Sequence, residues 1–375
     1  MKIKSRESIN PGDIAAADVY DGRGRVLIKE GAVFNKSLIK KTAEYGIPFV
    51  YTGPAETKTK ELCETEFLAE MLVFLSAYSA GGSARASLIR KYGEASLKTA
   101  AGQESETAEK ISCGRIVRGI AEKEAVSVKS YGSACAEFID YRNDESYLPF
   151  HMAMTARLSL VLAVKMGFEG KDLMDICTGA LFSDMFMEIF SFAEKKPGLT
   201  QRETEEMREH AAMSAVELKE IYGVSSVCAV IAGQHHERAD GSGYPGGISK
   251  GDIHLFSRIV AAADVYDALL SRRPFREPLK PQEAWDYMSE NGGRLFGEEG
   301  AEVFVKTAPR FIPGDTIELN TGQTAVVTAN NYGAPEMPRI KLIEKTEGRD
   351  IIFSAEKDLS EEKGIKILRT LNSAR

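Results

Sequence analysis

Residues 235–245 read HHERADGSGYP, and they connect two apolar stretches with helical spacing, residues 216–230 and 257–270. Apolar residues that recur every three or four positions predict helices, whereas Gly, Ser and Pro between them predict a loop. Neighbouring side chains on a helix point about 100° apart. His235 and His236 can therefore both face a polar cleft, but hardly a single apolar core. The stretch predicts a polar site between helices.

The remaining histidines and several aspartates fall in the same helical part of the chain or at its edge. Asp264 and Asp267 lie three residues apart on the predicted helix, so they share one face. Apolar neighbours would bury at least one of them, and a buried carboxylate needs a metal, a cation or strong hydrogen bonds. Histidine and carboxylate also hold iron, manganese or zinc in helical bundles. The pattern alone leaves a metal cluster and a set of hydrogen-bonded core histidines equally open, and His254 is interpreted as a surface or capping residue.

The periodicity divides the chain into four predicted units. Residues 1–54 predict a small strand-rich unit, and residues 55–135 a helical connecting region. Residues 136–310 predict an almost entirely helical domain, in which Thr200 and Glu203 form a capping box. Residues 311–375 predict a strand-rich extension with a hairpin around residues 320–323. The predicted fold class is mainly α, with strand-rich units on both sides of the helical domain.

Composition narrows the class of protein. The chain has 375 residues, of which 43% are hydrophobic and 27% charged, as in ordinary globular proteins. It carries 48 basic and 55 acidic residues, a net charge of -7, so it lacks the basic footprint that binds a nucleic-acid polymer. Five cysteines without a CxxC pair predict reduced thiols. No signal peptide and no stretch of about 18 apolar residues is present, so we expect a cytoplasmic protein without a membrane span.

The stretch 235–245, together with AADVYDAL at 262–269 and RRPFR at 272–276, resembles the HD-GYP family. This family is a branch of the HD superfamily of metal-dependent phosphohydrolases. The resemblance implies an all-helical domain that binds two or three iron or manganese ions and hydrolyses the bacterial messenger cyclic di-GMP to pGpG or GMP. It implies the metal ligands His151, Asp184, His210, His235, His236 and Asp264, with Asp184 as the catalytic aspartate. It implies the substrate contacts Tyr244, Asp267, Arg273 and Arg276.

The chain departs from the family pattern at the motif that gives the superfamily its name. The family expects His-Asp-x-Gly-Lys, whereas this chain has Ser183, Asp184, Phe186 and Met187 at the named positions. A metal-binding histidine and a cation that would steady the phosphate are therefore missing. Tyr147 also stands where some members have a glutamate ligand, and the Pro and Gly expected after the mid-domain histidine are Ala211 and Ser214.

Three hypotheses follow. The first is a degenerate HD-GYP protein that binds a metal, cyclic di-GMP or a related nucleotide, with weak or no hydrolysis. The second is a working phosphodiesterase with one or two iron or manganese ions at an altered site. The third is a helical scaffold without a ligand. A homodimer through the helical connecting region and a signalling protein partner are further options that the sequence leaves open.

Overall fold

The computed structural model describes most of the chain from residue 147 onward and parts of it before that point. The described residues are 2–5, 9–15, 19–20, 26–29, 31–45, 49–52, 117–126, 147–187, 189–190, 198–220, 224–271, 277–311, 314–331, 333–347 and 350–372. Of the predicted connecting region, therefore, only residues 117–126 are described.

The described fold is mainly α, as predicted. Helix α1 (Lys36–Glu44) lies in the N-terminal part, and residues 117–126 form α2. Seven further helices follow: α3 (Tyr147–Lys165), α4 (Lys171–Phe182), α5 (Gln201–Glu220), α6 (Ser226–Gln234), α7 (Leu255–Leu270), α8 (Pro281–Phe296) and α9 (Glu298–Thr307).

Helix α3 is the centre of the helical domain, and it packs against α4, α7 and α9. It has the length and hydropathy of a membrane span, but 83% of that stretch is buried inside the protein. It is the one helix of this kind in the described part of the chain. A buried ion pair joins Arg157 of α3 to Glu124 of α2, with Nε and Oε1 3.2 Å apart. The apolar composition of α3 is thus that of a core helix.

Local signals account for several helix ends. Thr200 and Glu203 exchange the two hydrogen bonds of the predicted capping box at the start of α5. The Nδ1 of His254 accepts a hydrogen bond from the Phe256 amide at the start of α7, which confirms the capping interpretation. The apolar stretch 216–230 is divided between two helices, because α5 ends at Glu220 and Ser225 caps the start of α6.

Strands flank the helices on both sides. In the N-terminal part β1 (Lys2–Ser5) pairs with β4 (Phe49–Thr52), and β2 (Val19–Tyr20) with β3 (Val26–Ile28). The C-terminal part is an antiparallel sheet in the order β10-β5-β6-β7-β8, with β9 beside β7. The predicted hairpin is confirmed, since Glu318 pairs with Thr324. These C-terminal strands are β5 (Thr316–Leu319), β6 (Thr324–Ala329), β7 (Arg339–Glu347), β8 (Asp350–Phe353), β9 (Lys357–Asp358) and β10 (Ile367–Asn372).

Candidate metal centre

Five helices bring the six predicted ligands together at one buried point. His151 lies on α3, Asp184 directly after α4, His210 on α5, the pair of adjacent histidines at the end of α6, and Asp264 on α7. Their donor atoms form two overlapping groups, each within 4.8 Å, that share one aspartate. The first group is Asp184, His210, His235 and His236, and the second is His151, Asp184 and Asp264.

Asp184 bridges the two groups. Its Oδ1 lies 3.1 Å from the Nε2 of His210 and 3.5 Å from the Nε2 of His235, and its Oδ2 lies 3.4 Å from the Nε2 of His151. Burial raises the pKa of Asp184, but the three imidazoles outweigh burial and hold the pKa well below its usual value. A bridging carboxylate that stays ionised suits a ligand shared between two positions.

Backbone carbonyls orient two of the histidines. The Nδ1 of His210 lies 2.7 Å from the carbonyl oxygen of Met207, and the Nδ1 of His235 lies 2.7 Å from that of Ala232. In a neutral imidazole, an Nδ1–H that donates to a carbonyl leaves Nε2 unprotonated, with its lone pair directed at the cluster. Such orientation is typical of metal-binding histidines.

The donor atoms fit a metal ion. The Nε2 of His235 is buried and has no hydrogen-bond partner among the described residues, although a buried polar atom normally has one. The Nε2 atoms of His236 and His210 are 3.1 Å apart, and two nitrogen ligands at about 2.1 Å from one ion lie roughly 3.0–3.4 Å apart. Burial, with His235 and His210 nearby, lowers the pKa of His236 well below its usual value. The neutral imidazole is the form that binds metals.

The His151 side of the cluster is held by carboxylates. The Nε2 of His151 is 2.9 Å from Asp264 Oδ1, and its Nδ1 is 2.6 Å from Asp267 Oδ2. Burial lowers the pKa of His151, but Tyr147 and the carboxylates Asp184, Asp264 and Asp267 outweigh burial and raise the pKa well above its usual value. Because metal ligands must be deprotonated, an ion on this side has to displace a tightly held proton.

Asp267 is a buried neighbour of His151. Its side chain is fully buried and contacts the ring nitrogen of His151 that is opposite Nε2. It also accepts a hydrogen bond from Ser271 Oγ at 3.3 Å. This geometry suits a residue that orients His151, and the predicted contact of Asp267 with substrate stays a prediction.

The loop of residues 235–248, named here the motif loop, is tied to the cluster from within. The Glu237 carboxylate accepts hydrogen bonds from the amides of Gly246 and Ile248 at 2.6 and 3.1 Å. The Tyr244 amide donates to the His236 carbonyl, and the Tyr244 ring lies 4.6 Å from the His236 ring. A Cβ atom added at Gly243 would lie 2.4 Å from the backbone nitrogen of Arg238. Sequence reasoning missed Glu237, which is buried and anchors the loop.

The turn of residues 183–187, named here the α4 turn, lacks two polar groups. The Ser183 hydroxyl donates a hydrogen bond to the Ala180 carbonyl at 2.9 Å, so it is engaged by its own helix. Met187 is partly buried against the apolar core. Of the predicted substrate contacts, Tyr244 lies beside the histidine cluster, whereas Arg273 and Arg276 lie outside the described residues.

Arg208 is a second residue that sequence reasoning missed. Its guanidinium carbon lies 4.9 Å from the centre of the Tyr244 ring. The available signal was its position on a helix, two residues before His210. Because residues two apart on a helix do not share a face, spacing alone gave no reason to connect Arg208 with the cluster.

Comparison with known proteins supports the same family. Residues 139–300 match the HD domain, and residues 316–375 match a KOW domain associated with HD domain. A protein named cyclic di-GMP phosphodiesterase PA4108, from Pseudomonas aeruginosa, is 28% identical over 58% of this chain and 53% of its own length. A cyclic di-GMP phosphodiesterase from Thermotoga maritima is 40% identical over 30% of this chain and 31% of its own.

A third relative, from Vibrio cholerae, is named 3'3'-cGAMP-specific phosphodiesterase 1 and is 44% identical over 31% of this chain and 27% of its own length. The chain thus matches about half the length of the Pseudomonas relative and less than a third of the Thermotoga and Vibrio ones. Its HD domain, these relatives and its helical architecture together support the HD-GYP family for this chain.

Proposed function

We propose that this chain is a metal-loaded HD-GYP protein that binds cyclic di-GMP, or a related cyclic dinucleotide, with weak or no hydrolysis. The observation that carries this proposal is the contrast between a nearly complete donor cluster and an α4 turn without its polar groups. Ser183 donates to Ala180, and Met187 is apolar. Hydrolysis loses more from these changes than binding does.

The chemistry explains why hydrolysis suffers. Metal-dependent hydrolysis of a phosphodiester requires an ion that polarises the phosphoryl oxygen and activates water, together with charge neutralisation in the transition state. Met187 supplies no cation, and Ser183 is a weak neutral ligand whose hydroxyl is already engaged. Removing one preorganised group of this kind costs on the order of a hundredfold to a thousandfold in rate. Two such losses predict very slow turnover.

The proposed ligand set follows the two groups of donors. Asp184, His210, His235 and His236 would hold one ion, and His151 with Asp264 would complete a second position that shares Asp184. Imidazole and carboxylate suit iron and manganese, so we propose Fe or Mn, with one or two ions. When bound, the ion supplies Lewis-acid polarisation of a phosphate oxygen. Asp184 retains the proposed catalytic role because it touches both positions.

Recognition of the nucleotide rests on groups outside the ion cluster. Tyr244 offers an aromatic ring beside His236, on which a base can stack. Arg273 and Arg276 are proposed to bind phosphate, since a guanidinium matches phosphate oxygens in two parallel hydrogen bonds. The names of the relatives support a cyclic dinucleotide, and they include both cyclic di-GMP and 3'3'-cGAMP.

The cytoplasmic location, the homodimer and the signalling partner stay predictions.

A working phosphodiesterase is the second candidate. The buried Nε2 of His235 has no hydrogen-bond partner in the part of the chain that the structure describes, and the Nε2 atoms of His210 and His236 are close together; both observations favour at least one firmly bound ion. One ion that activates water is sufficient for hydrolysis in some metalloenzymes.

A single assay separates the two candidates. The protein is purified without oxygen, loaded with Fe(II) or Mn(II), and incubated with cyclic di-GMP or 3'3'-cGAMP while linear products are followed by chromatography and binding by calorimetry. Our proposal predicts binding with little or no product. Product that disappears in the double variant His235→Ala, His236→Ala would instead establish a phosphodiesterase.

The double variant also tests the metal ligands. We expect it to lose its metal content, measured by elemental analysis, because it removes two donors of the first group. The matched control is His254→Ala, which removes an exposed helix-capping histidine outside the cluster. Unchanged metal content in the double variant would return the paired histidines to a structural role.

A further inference from the structure

We propose that Arg208 contacts an anionic group of the bound nucleotide, at the rim of the histidine cluster. This inference rests on the proposed function and extends it by naming a binding residue outside the motif. Arg208 is exposed on α5, and its guanidinium carbon lies 4.9 Å from the centre of the Tyr244 ring. Tyr244 in turn lies 4.6 Å from His236. The Tyr244 ring therefore contacts both the Arg208 guanidinium and His236, a proposed metal ligand.

The guanidinium of Arg208 has no ion-pair partner in the described part of the chain. Arg202, on the same helix, pairs with Glu206 at 2.8 Å. Arg238, in the motif loop, donates to the carbonyls of His235 and Glu237. Arg208, by contrast, forms no hydrogen bond or ion pair with any described residue. Its guanidinium forms a cation–π contact with the Tyr244 ring.

A cyclic dinucleotide carries two phosphate groups, and one ion cluster engages one of them at a time. The second phosphate needs another cation, and Met187 offers none at the place where the family has lysine. A guanidinium on an aromatic ring is attracted to the ring face, and its N–H groups match phosphate oxygens. Tyr244 thus positions Arg208, and the pair places a phosphate contact beside the histidine cluster.

The test measures affinity of the metal-loaded full chain for cyclic di-GMP by calorimetry. Arg208→Ala and Arg208→Gln should raise Kd by roughly tenfold to a hundredfold, the loss expected for one charged hydrogen bond. Arg208→Lys should lose less, since it keeps the charge. The matched control is Arg202→Ala, on the same helix, which should bind like the wild type. Metal content should be unchanged in all four variants.

A coupled variant tests the role of the ring. Tyr244→Leu should also weaken binding, and adding Arg208→Ala to it should cost less than Arg208→Ala costs alone, because the arginine has lost its support. A purely structural role for Arg208 predicts a lower melting temperature with unchanged Kd, and this result would overturn the inference. An equal loss in Arg202→Ala would overturn it too, because a general charge effect would then suffice.

Two results separate this inference from the proposed function. Wild-type affinity that is fully retained in Arg208→Ala and Arg208→Gln overturns the contact and leaves the proposed function in place. A metal-loaded wild-type chain that binds no cyclic di-GMP overturns both.

Discussion

The motif loop and the α4 turn both follow a helix and both reach the same cluster, but they differ in what they retain. The motif loop keeps two histidines, a carboxylate that holds its amides, and an aromatic ring beside the cluster. The α4 turn keeps a single polar group in the cluster, Asp184, while its serine bonds to its own helix and Met187 faces the core. The two segments have therefore departed unequally from the family pattern.

This difference separates binding from turnover. In the proposed function, the groups kept in the motif loop would hold an ion and contact a base or a phosphate, which are tasks of the ground state. The groups lost from the α4 turn would act on charge that develops as the phosphodiester breaks, and such groups raise the rate without being needed for affinity. The comparison predicts a protein that binds a cyclic dinucleotide but hydrolyses it slowly or not at all.

Restoring the α4 turn is the change with the largest expected effect. Ser183→His with Met187→Lys returns both lost groups to a site whose other ligands are in place. We expect hydrolysis of cyclic di-GMP to rise by on the order of a hundredfold to a thousandfold or more, measured by chromatography of linear products. The metal content should rise as well.

Met187→Leu is the control for the restored variant, because it conserves volume without adding charge. A double variant that folds and binds metal but gains no rate would contradict the comparison. The slow step would then lie outside the α4 turn.

Local pattern indicated part of the site, namely the adjacent histidines and the aspartates three apart on a helix. The full set of six ligands came from the resemblance to the HD-GYP family, and the structure brings all six together. The capping box and the C-terminal hairpin were equally local. The contact of Asp267 with His151 could not be predicted from spacing, because it depends on packing between α7 and α3; its predicted contact with substrate stays a prediction. Glu237 and Arg208 were missed because their partners are set by the folded loop rather than by spacing.

Gly243 tests how rigidly the motif loop must be built. A Cβ there would lie 2.4 to 2.5 Å from the backbone of three residues of the loop, so Gly243→Ala must push the backbone apart. Overpacking of this kind costs roughly 1–3 kcal/mol, and we expect a lower melting temperature together with weaker metal binding. Gly251→Ala is the matched control, since a Cβ at Gly251 meets nothing within 4 Å. Equal melting temperatures for the two variants would show that the loop gives way freely.

The smallest expected effect is the pH dependence of the metal-free chain, and it contrasts the two sides of the cluster. The pKa of His151 is raised, with burial opposed by Tyr147 and three carboxylates. Its stabilisation is thus complete below the ordinary value of 6.5 and is lost as pH rises through the folded pKa. The pKa of His236 is lowered by burial and by its histidine neighbours. The folded chain therefore keeps this imidazole neutral while the unfolded chain binds a proton as pH falls below 6.5, so stability is lost on that side instead.

Melting temperatures of the chelator-treated chain across pH should therefore fall on both sides of neutrality. His151→Gln should flatten the alkaline decline, and His236→Gln should flatten the acidic one. The quantity compared between variants is the slope of melting temperature with pH, because the substitutions can also change the absolute melting temperature. Metal-loaded protein should keep its stability at alkaline pH, because an ion then holds the carboxylates that the imidazolium held before. If His151→Gln leaves the alkaline decline of the melting temperature intact, deprotonation of His151 is not its cause. The proposed contrast between the two sides of the cluster would then be wrong.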